Sequence, residues 1–241
     1  MGRSVSLLRR VLREFACTVS DLLIPGRCAG CGNLSGGALC GPCSRRLERI
    51  PDPRCPRCGE PLLGPRCPSD HRAVRLIAHA RAAFRYRGTG GALVRRLKLS
   101  GDFAAGRVLV SAMAAEVRAL GPRWRPAVLV GVPLHRTRRR IRGFDQADWL
   151  AAEIGCALGM RVESGALRRV RATIPQGDPR TRSRDRNVEG AFVPVRCGSL
   201  VGRRVVLIDD VWTSGATARQ CARELLRAGA RKVAAVTACR S

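Results

Sequence analysis

Aromatic residues are scarce in this 241-residue chain: five Phe, three Trp and a single Tyr, 4% of the total. A row of aromatic rings for stacking bases is therefore absent, and Leu, Val and Ala must fill the core. Acids are also few, 18 against 45 Lys and Arg, giving a formal net charge of +27. Lysine is rarer still, with only Lys98 and Lys232. A codon bias towards arginine exchanges one base for another and does not explain the excess of bases. The balance points to a polyanionic partner, either nucleic acid or a phosphorylated ligand. No apolar run approaches the roughly twenty residues of a membrane-spanning helix. Nor does the start resemble a signal peptide, because Arg3, Arg9, Arg10 and Arg13 interrupt it. Leu7, Leu8, Val11, Leu12, Phe15, Val19, Leu22 and Leu23 form a helical stripe between those charges, so residues 1–26 read as an amphipathic helix packed on the body. A cytoplasmic location follows as an expectation, and in that reducing compartment the twelve cysteines favour metal over disulfides.

The chain is organised around residues 205–217. Val205–Ile208 is a β-branched apolar run that reads as a buried parallel strand, ending in Asp209 and Asp210. Thr213, Ser214, Gly215, Ala216 and Thr217 follow, small and rich in hydroxyls. From Ala216 the pattern turns helical: Ala218, Cys221, Leu225 and Ala228 share a face and Gly229 closes it. A strand feeding a helix through such a turn builds an anion site, since the first helical N–H groups point at the ligand. The two carboxylates accept hydrogen bonds only and suit a sugar diol or a metal ion. No Gly-Lys-Ser/Thr follows, so this is not a Walker loop.

Residues 28–71 carry a second signal. Cys28, Cys31, Cys40 and Cys43 form two Cys-x2-Cys pairs, and Cys55, Cys58 and Cys67 repeat the first three at an offset of 27. The same offset from Cys43 lands on Asp70, with His71 beside it. Two such pairs complete a tetrahedral site, and soft sulfur ligands point to structural zinc. One set is Cys28, Cys31, Cys40 and Cys43. The other is Cys55, Cys58, Cys67 and His71, with Asp70 as the alternative fourth ligand and cross-bracing between the halves left open.

Between and after these landmarks the reading is coarser. Ser44–Ile50 reads as a short helix stopped by Pro51 and Pro53. Ala78–Tyr86 and Ala127–Val132 read as strands, Gly90–Leu97 as a helix, and Asp102 as the cap of a helix running to Leu120. Gln146–Leu158 is helical, Arg161–Leu167 is assigned as a strand, and Val233–Cys239 is the last strand. Residues 171–190 lack an apolar period and read as a mobile loop. After Val132 comes Pro133-Leu134-His135-Arg136-Thr137-Arg138-Arg139-Arg140-Ile141-Arg142-Gly143-Phe144-Asp145-Gln146, five arginines at the carboxyl end of a strand, where parallel sheets bind ligands. Guanidinium forks there suit diphosphate oxygens.

The acid pair and the 213–217 loop resemble the 5-phosphoribosyl-1-diphosphate (PRPP) signature of type I phosphoribosyltransferases. The duplicated Cys module, the Pro-Leu and Arg-Gly-Phe-Asp-Gln segment, Arg171-Ala172-Thr173, Gln176, Arg184–Asn187 and the Asp-Asp-Val signature, in that order, resemble the ComF family over nearly the whole chain. That resemblance implies a parallel α/β phosphoribosyltransferase fold at residues 73–241 behind a double zinc-finger module at 27–72. It implies that Thr213, Ser214, Gly215, Ala216 and Thr217 hold the 5′-phosphate and Asp209 and Asp210 the ribose. Arg138, Arg139 and Arg142, with Mg2+, would hold the leaving diphosphate. It also implies a link to DNA uptake in natural transformation and to DNA as a nutrient, with non-specific DNA and competence proteins as partners. Two positions depart from the pattern: His71 replaces a cysteine, and Asp145 stands where Asn is common, adding a carboxylate near the diphosphate site. The function expected is PRPP binding with phosphoribosyl transfer to a nitrogen nucleophile. The alternatives are a nucleic-acid-binding accessory protein that keeps the pocket as a sensor or relic, and a scaffold joining partners through its zinc module.

Overall fold

The computed structural model describes residues 26–69, 71–171, 188–195 and 197–241. The N-terminal stripe, Asp70 and nearly all of the 171–190 loop lie outside them.

Four parallel strands form the central sheet: β1 (Ala80–Arg85), β2 (Val128–Gly131), β5 (Arg204–Trp212) and β6 (Lys232–Arg240), in the order β1-β6-β5-β2. Both faces are covered, as an all-parallel sheet requires. Alternation sorts the side chains. Val205, Leu207, Val233 and Ala235 face helix α6 (Ala216–Arg227), with Cys221 and Leu225 opposite. Val206, Ile208, Ala234 and Val236 face α2 (Gly88–Ser100), α3 (Phe103–Arg118) and α5 (Gln146–Leu158). Val205 through Ile208 are at most 1% exposed. Each such side chain contributes about 1.5–3 kcal/mol relative to exposure, which fixes β5 at the centre.

Several boundaries move for physical reasons. β5 does not end at Ile208: pairing with β6 continues through Asp209↔Thr237 to Trp212↔Arg240, so the acids are within the strand. The Ser44–Ile50 helix is not formed. A short helix α1 (Gly41–Arg45) lies within the first Cys set, and residues 48–50 instead bond to the β1 edge, with Arg49 paired to Phe84 and the Ile50 amide donating to the Ala83 carbonyl. In 161–167 only Val162 bridges to the sheet, at Leu129. The regular strand is β3 (Leu167–Arg169), paired antiparallel with β4 (Phe192–Pro194). The arginine-rich segment is a helix, α4 (Arg136–Arg142). Asp102 caps α3 as expected, accepting from the Ala104 and Ala105 amides.

The Cys module is bound to the sheet domain through buried charge. Arg54 Nη1 and Arg81 Nε meet Glu116 of α3 at 3.2 and 2.7 Å, all three side chains being 16% exposed or less. Two guanidiniums around one carboxylate are stable together and costly apart. Glu116→Gln should therefore lower unfolding stability by about 3–5 kcal/mol, read by urea denaturation; a change below about 1 kcal/mol would show that the clasp contributes little.

Candidate functional site

The duplication seen in the sequence recurs in the backbone. Cys28 N bonds to Asn33 O and Cys55 N to Glu60 O; Arg27 bridges to Leu34 and Arg54 to Pro61. Each pair repeats at the offset of the cysteines. Within each turn a left-handed glycine, Gly32 or Gly59, turns the chain back. Cys28, Cys31, Cys40 and Cys43 converge, as do Cys55, Cys58, Cys67 and His71, the ligand atoms of each set lying within 4.8 Å of one another. The halves are not cross-braced.

Both sets fit zinc. Zn–S bonds of about 2.3 Å in a tetrahedron place sulfurs roughly 3.8 Å apart. Cys31 and Cys40 Sγ are 3.8 Å apart, Cys58 and Cys67 Sγ 3.4 Å, and Cys55 Sγ lies 3.3 Å from His71 Nε2. Burial opposes ionisation of Cys28 and Cys55, but backbone N–H donors outweigh it and bring both thiols down to about 6. Burial and neighbouring thiols push Cys43 and Cys58 up to about 12. The backbone donors thus favour the thiolate at Cys28 and Cys55, the form that takes a metal.

A cavity of about 360 Å3 opens at the carboxyl end of the sheet, its walls including Asp209, Asp210, Thr213, Thr217, Arg138 and Arg142. Ser214, Gly215 and Ala216 complete the turn behind the two threonines. Gly215 caps α6 at φ +72°, and a Cβ there would meet the Trp212 ring at 2.5 Å and the Ala73 carbonyl at 2.8 Å. The loop is therefore braced from behind. Arg240 stacks over Trp212 at 5.5 Å, donates to the Cys58 carbonyl at 2.6 Å and pairs with Glu60 at 2.7 Å, tying the second Cys set to the turn.

The two acids are not equivalent. Alternation along β5 sends them to opposite faces. Asp210, 4% exposed, pairs with Lys98 Nζ at 2.7 Å and accepts from Gln146 Nε2 at 2.8 Å. Gln146 in turn accepts from Arg142 at 2.8 Å. Asp209 is half-buried, and burial, reinforced by Asp210, pushes it up to about 8. The arginines divide as well. Arg138 and Arg142, one turn apart on α4, face the cavity, whereas Arg139 is exposed and its side chain is not part of the wall. A helix, rather than an extended turn, separates them.

Asp145 is not on the cavity wall, although its charge reaches Asp209. Its carboxylate caps α5, accepting from the Ala147 amide at 3.1 Å and the Leu134 amide at 2.7 Å. Sequence reasoning missed Lys98, Gln146, Tyr86 and Arg169 on the cavity wall. Lys98 was detectable as one of only two lysines, Tyr86 as the single tyrosine and Gln146 as the end of the Arg-Gly-Phe-Asp-Gln segment; Arg169 carries no local signal. Among the described residues, the metal-ligand clusters of three or more are the two Cys sets, so the cavity holds no protein cage for Mg2+. No described helix is long and apolar enough to cross a membrane.

Comparison with known proteins gives two independent findings. Residues 19–74 match the double zinc ribbon domain. The chain is 32% identical over 232 residues to DNA utilization protein YhgH of Salmonella typhimurium, covering 91% of this chain and 99% of that protein. The chain belongs to the ComF family. The family extends to competence protein ComFC of Streptococcus pneumoniae, 28% identical over 198 residues, 81% of this chain and 84% of that one. YhgH of Escherichia coli K12 is 33% identical over 239 residues, with 91% and 99% covered. Among solved structures, the purine phosphoribosyltransferase of Pyrococcus horikoshii aligns at 17% identity and TM-score 0.35, over 56% of this chain and 82% of that one. Adenine phosphoribosyltransferase of Leishmania tarentolae aligns at 18% and 0.38, over 57% and 58%. This ComF-family chain joins a parallel α/β domain to an N-terminal double zinc ribbon.

Purified protein should carry about two zinc ions, one per tetrahedral ligand set. Cys40→Ser should lose one and loosen the ribbon around Cys28. Metal analysis near zero on protein prepared without chelator would contradict both ligand sets.

Proposed function

We propose that the protein binds PRPP in the cavity at the end of β5 and transfers its phosphoribosyl group to a nitrogen nucleophile, in the service of DNA utilisation. The observation that supports this most is the meeting of the acid pair, the Thr213–Thr217 turn and Arg138 and Arg142 around one cavity. On this reading the turn and the α6 N-terminus hold the 5′-phosphate. Asp209 and Asp210 accept from the ribose hydroxyls. Arg138 and Arg142 stabilise the charge that develops on the leaving diphosphate. The acceptor nitrogen forms a bond to the anomeric carbon as the carbon–oxygen bond to diphosphate breaks, and the acceptor loses a proton. Magnesium enters only with the ligand. Arg139 is left to an outer, solvent-facing part. Residues 27–72 form the ribbon part and 73–241 the ligand-binding part.

A second reading is a nucleic-acid-binding accessory protein with the same pocket used for sensing. The net charge of +27 and the relatives named for DNA utilization and competence favour it. Release of diphosphate that depends on an added nucleobase or nucleotide supports the enzyme; PRPP binding without release under any acceptor supports the sensor.

Replacing Asp209 and Asp210 together by Asn should weaken PRPP binding tenfold or more in calorimetry, about the loss of one or two charge-assisted hydrogen bonds at roughly 1.5–3 kcal/mol each. Unchanged affinity would remove the acids from the ribose site. In the wild type, binding should tighten as the pH rises from about 7 to 9, because Asp209 is held up to about 8 and accepts from hydroxyls best when ionised. Affinity that is flat or falls across that range would place Asp209 outside the contact. DNA binding should be non-specific and fall steeply between about 50 and 200 mM salt; no binding at the lower salt would reject nucleic acid as a direct partner.

A further inference from the structure

Lys98 is one of two lysines in a chain with 45 basic residues. It lies in the last turn of α2 and on the cavity wall, with its Nζ 2.7 Å from Asp210 Oδ1. The side chains are 23% and 6% exposed, so water screens the pair little. Burial works against the ammonium charge, but Asp210, and behind it Asp209, holds the proton on.

The pair is not needed to hold α2 in place. Leu93, Val94 and Leu97 are fully buried beneath the helix. Thr89 Oγ1 donates to the Cys43 carbonyl at 2.8 Å, and Arg96 pairs with Asp102 at 2.7 Å. What the pair does fix is the carboxylate. Its Oδ1 meets Lys98 and its Oδ2 meets Gln146, which is in turn held by Arg142. An arginine at 98 would bring a planar fork that takes both carboxylate oxygens and competes with Gln146; a lysine is a point charge that takes one. In a chain that uses arginine almost everywhere, a lysine here has a geometric reason.

We propose that Lys98 is a positioning residue of the phosphoribosyl site, holding Asp210 through Oδ1 as an oriented carboxylate that accepts from the ribose. This rests on the PRPP reading above. Without Lys98 no cation meets Asp210 Oδ1, and the buried carboxylate beside Asp209 keeps Gln146 as the side chain that orients it.

The test is a double-mutant cycle on the full-length, zinc-loaded protein, with PRPP and magnesium in calorimetry; zinc content and circular dichroism report folding. Lys98→Met should weaken binding by about tenfold or more, and Lys98→Arg should recover part of that loss. If Lys98 acts through Asp210, the double variant Lys98→Met/Asp210→Asn should bind within about twofold of Asp210→Asn alone, because interacting residues are non-additive. The double variant removes both charges, so this comparison stands even if Lys98→Met folds poorly. Wild-type affinity in Lys98→Met, or losses that multiply in the double variant, would overturn the role. No PRPP binding by the wild type would sink the proposed function itself, and the role of Lys98 with it.

Discussion

The pocket depends on one constraint: β5 stays paired with β6 beyond its apolar run. Because pairing continues through Asp209↔Thr237, the period-two alternation that sorts Val205–Ile208 between two cores also sorts the acids. Asp210 is directed to the side of α2 and α5, where Lys98 and Gln146 meet it. Asp209 falls on the side of the antiparallel β3–β4 pair, close enough to Arg169 for their charges to interact. A run of four apolar residues therefore dictates the chemistry of the two residues after it. Slipping the register by one residue would turn each acid to the other face and take Asp210 away from Lys98 and Gln146.

The zinc ribbon is more than an appendage to this sheet. Its Arg54 shares Glu116 with Arg81 of β1, and residues 48–50 run along the β1 edge. Cys55 and Cys58 are themselves buried in the core that contains Trp212 and Ala216. Arg240 joins the Cys58 carbonyl, Glu60 and the Trp212 ring, and Trp212 in turn backs Gly215. Metal-site geometry thus continues without a gap into the turn proposed to hold phosphate. A module that small has little core of its own, and shared burial with the sheet domain supplies what it lacks.

Much of this was legible in the sequence, and for identifiable reasons. The repeat of cysteines at a fixed offset pointed to seven of the eight ligands and landed on Asp70 for the eighth; His71, the neighbour preferred for its ligand chemistry, is the residue that joins Cys55, Cys58 and Cys67. The strand–turn–helix around Gly215 was legible because apolar β-branched residues, small polar residues and helical periodicity follow one another without overlap. The arginine segment was read as an extended turn and not as a helix, so Arg139 was grouped with Arg138 and Arg142, which line the cavity. Asp145 was read as a carboxylate near the site but not as a helix cap, because a cap and a ligand-facing acid look alike in one dimension. Lys98 went unassigned because its partner is 112 positions away, and only the packing of α2 on the sheet brings them together.

In the proposed function, one molecule of PRPP spans the cavity, its 5′-phosphate on the Thr213–Thr217 turn and its diphosphate at Arg138 and Arg142. Phosphorus NMR of PRPP titrated with the protein reads both ends at once. The account predicts that the 5′-phosphate and both diphosphate resonances shift together and saturate at one equivalent, and that excess single-stranded DNA leaves the shifts in place. Resonances that stay at their free positions, or shifts that DNA abolishes, would contradict it.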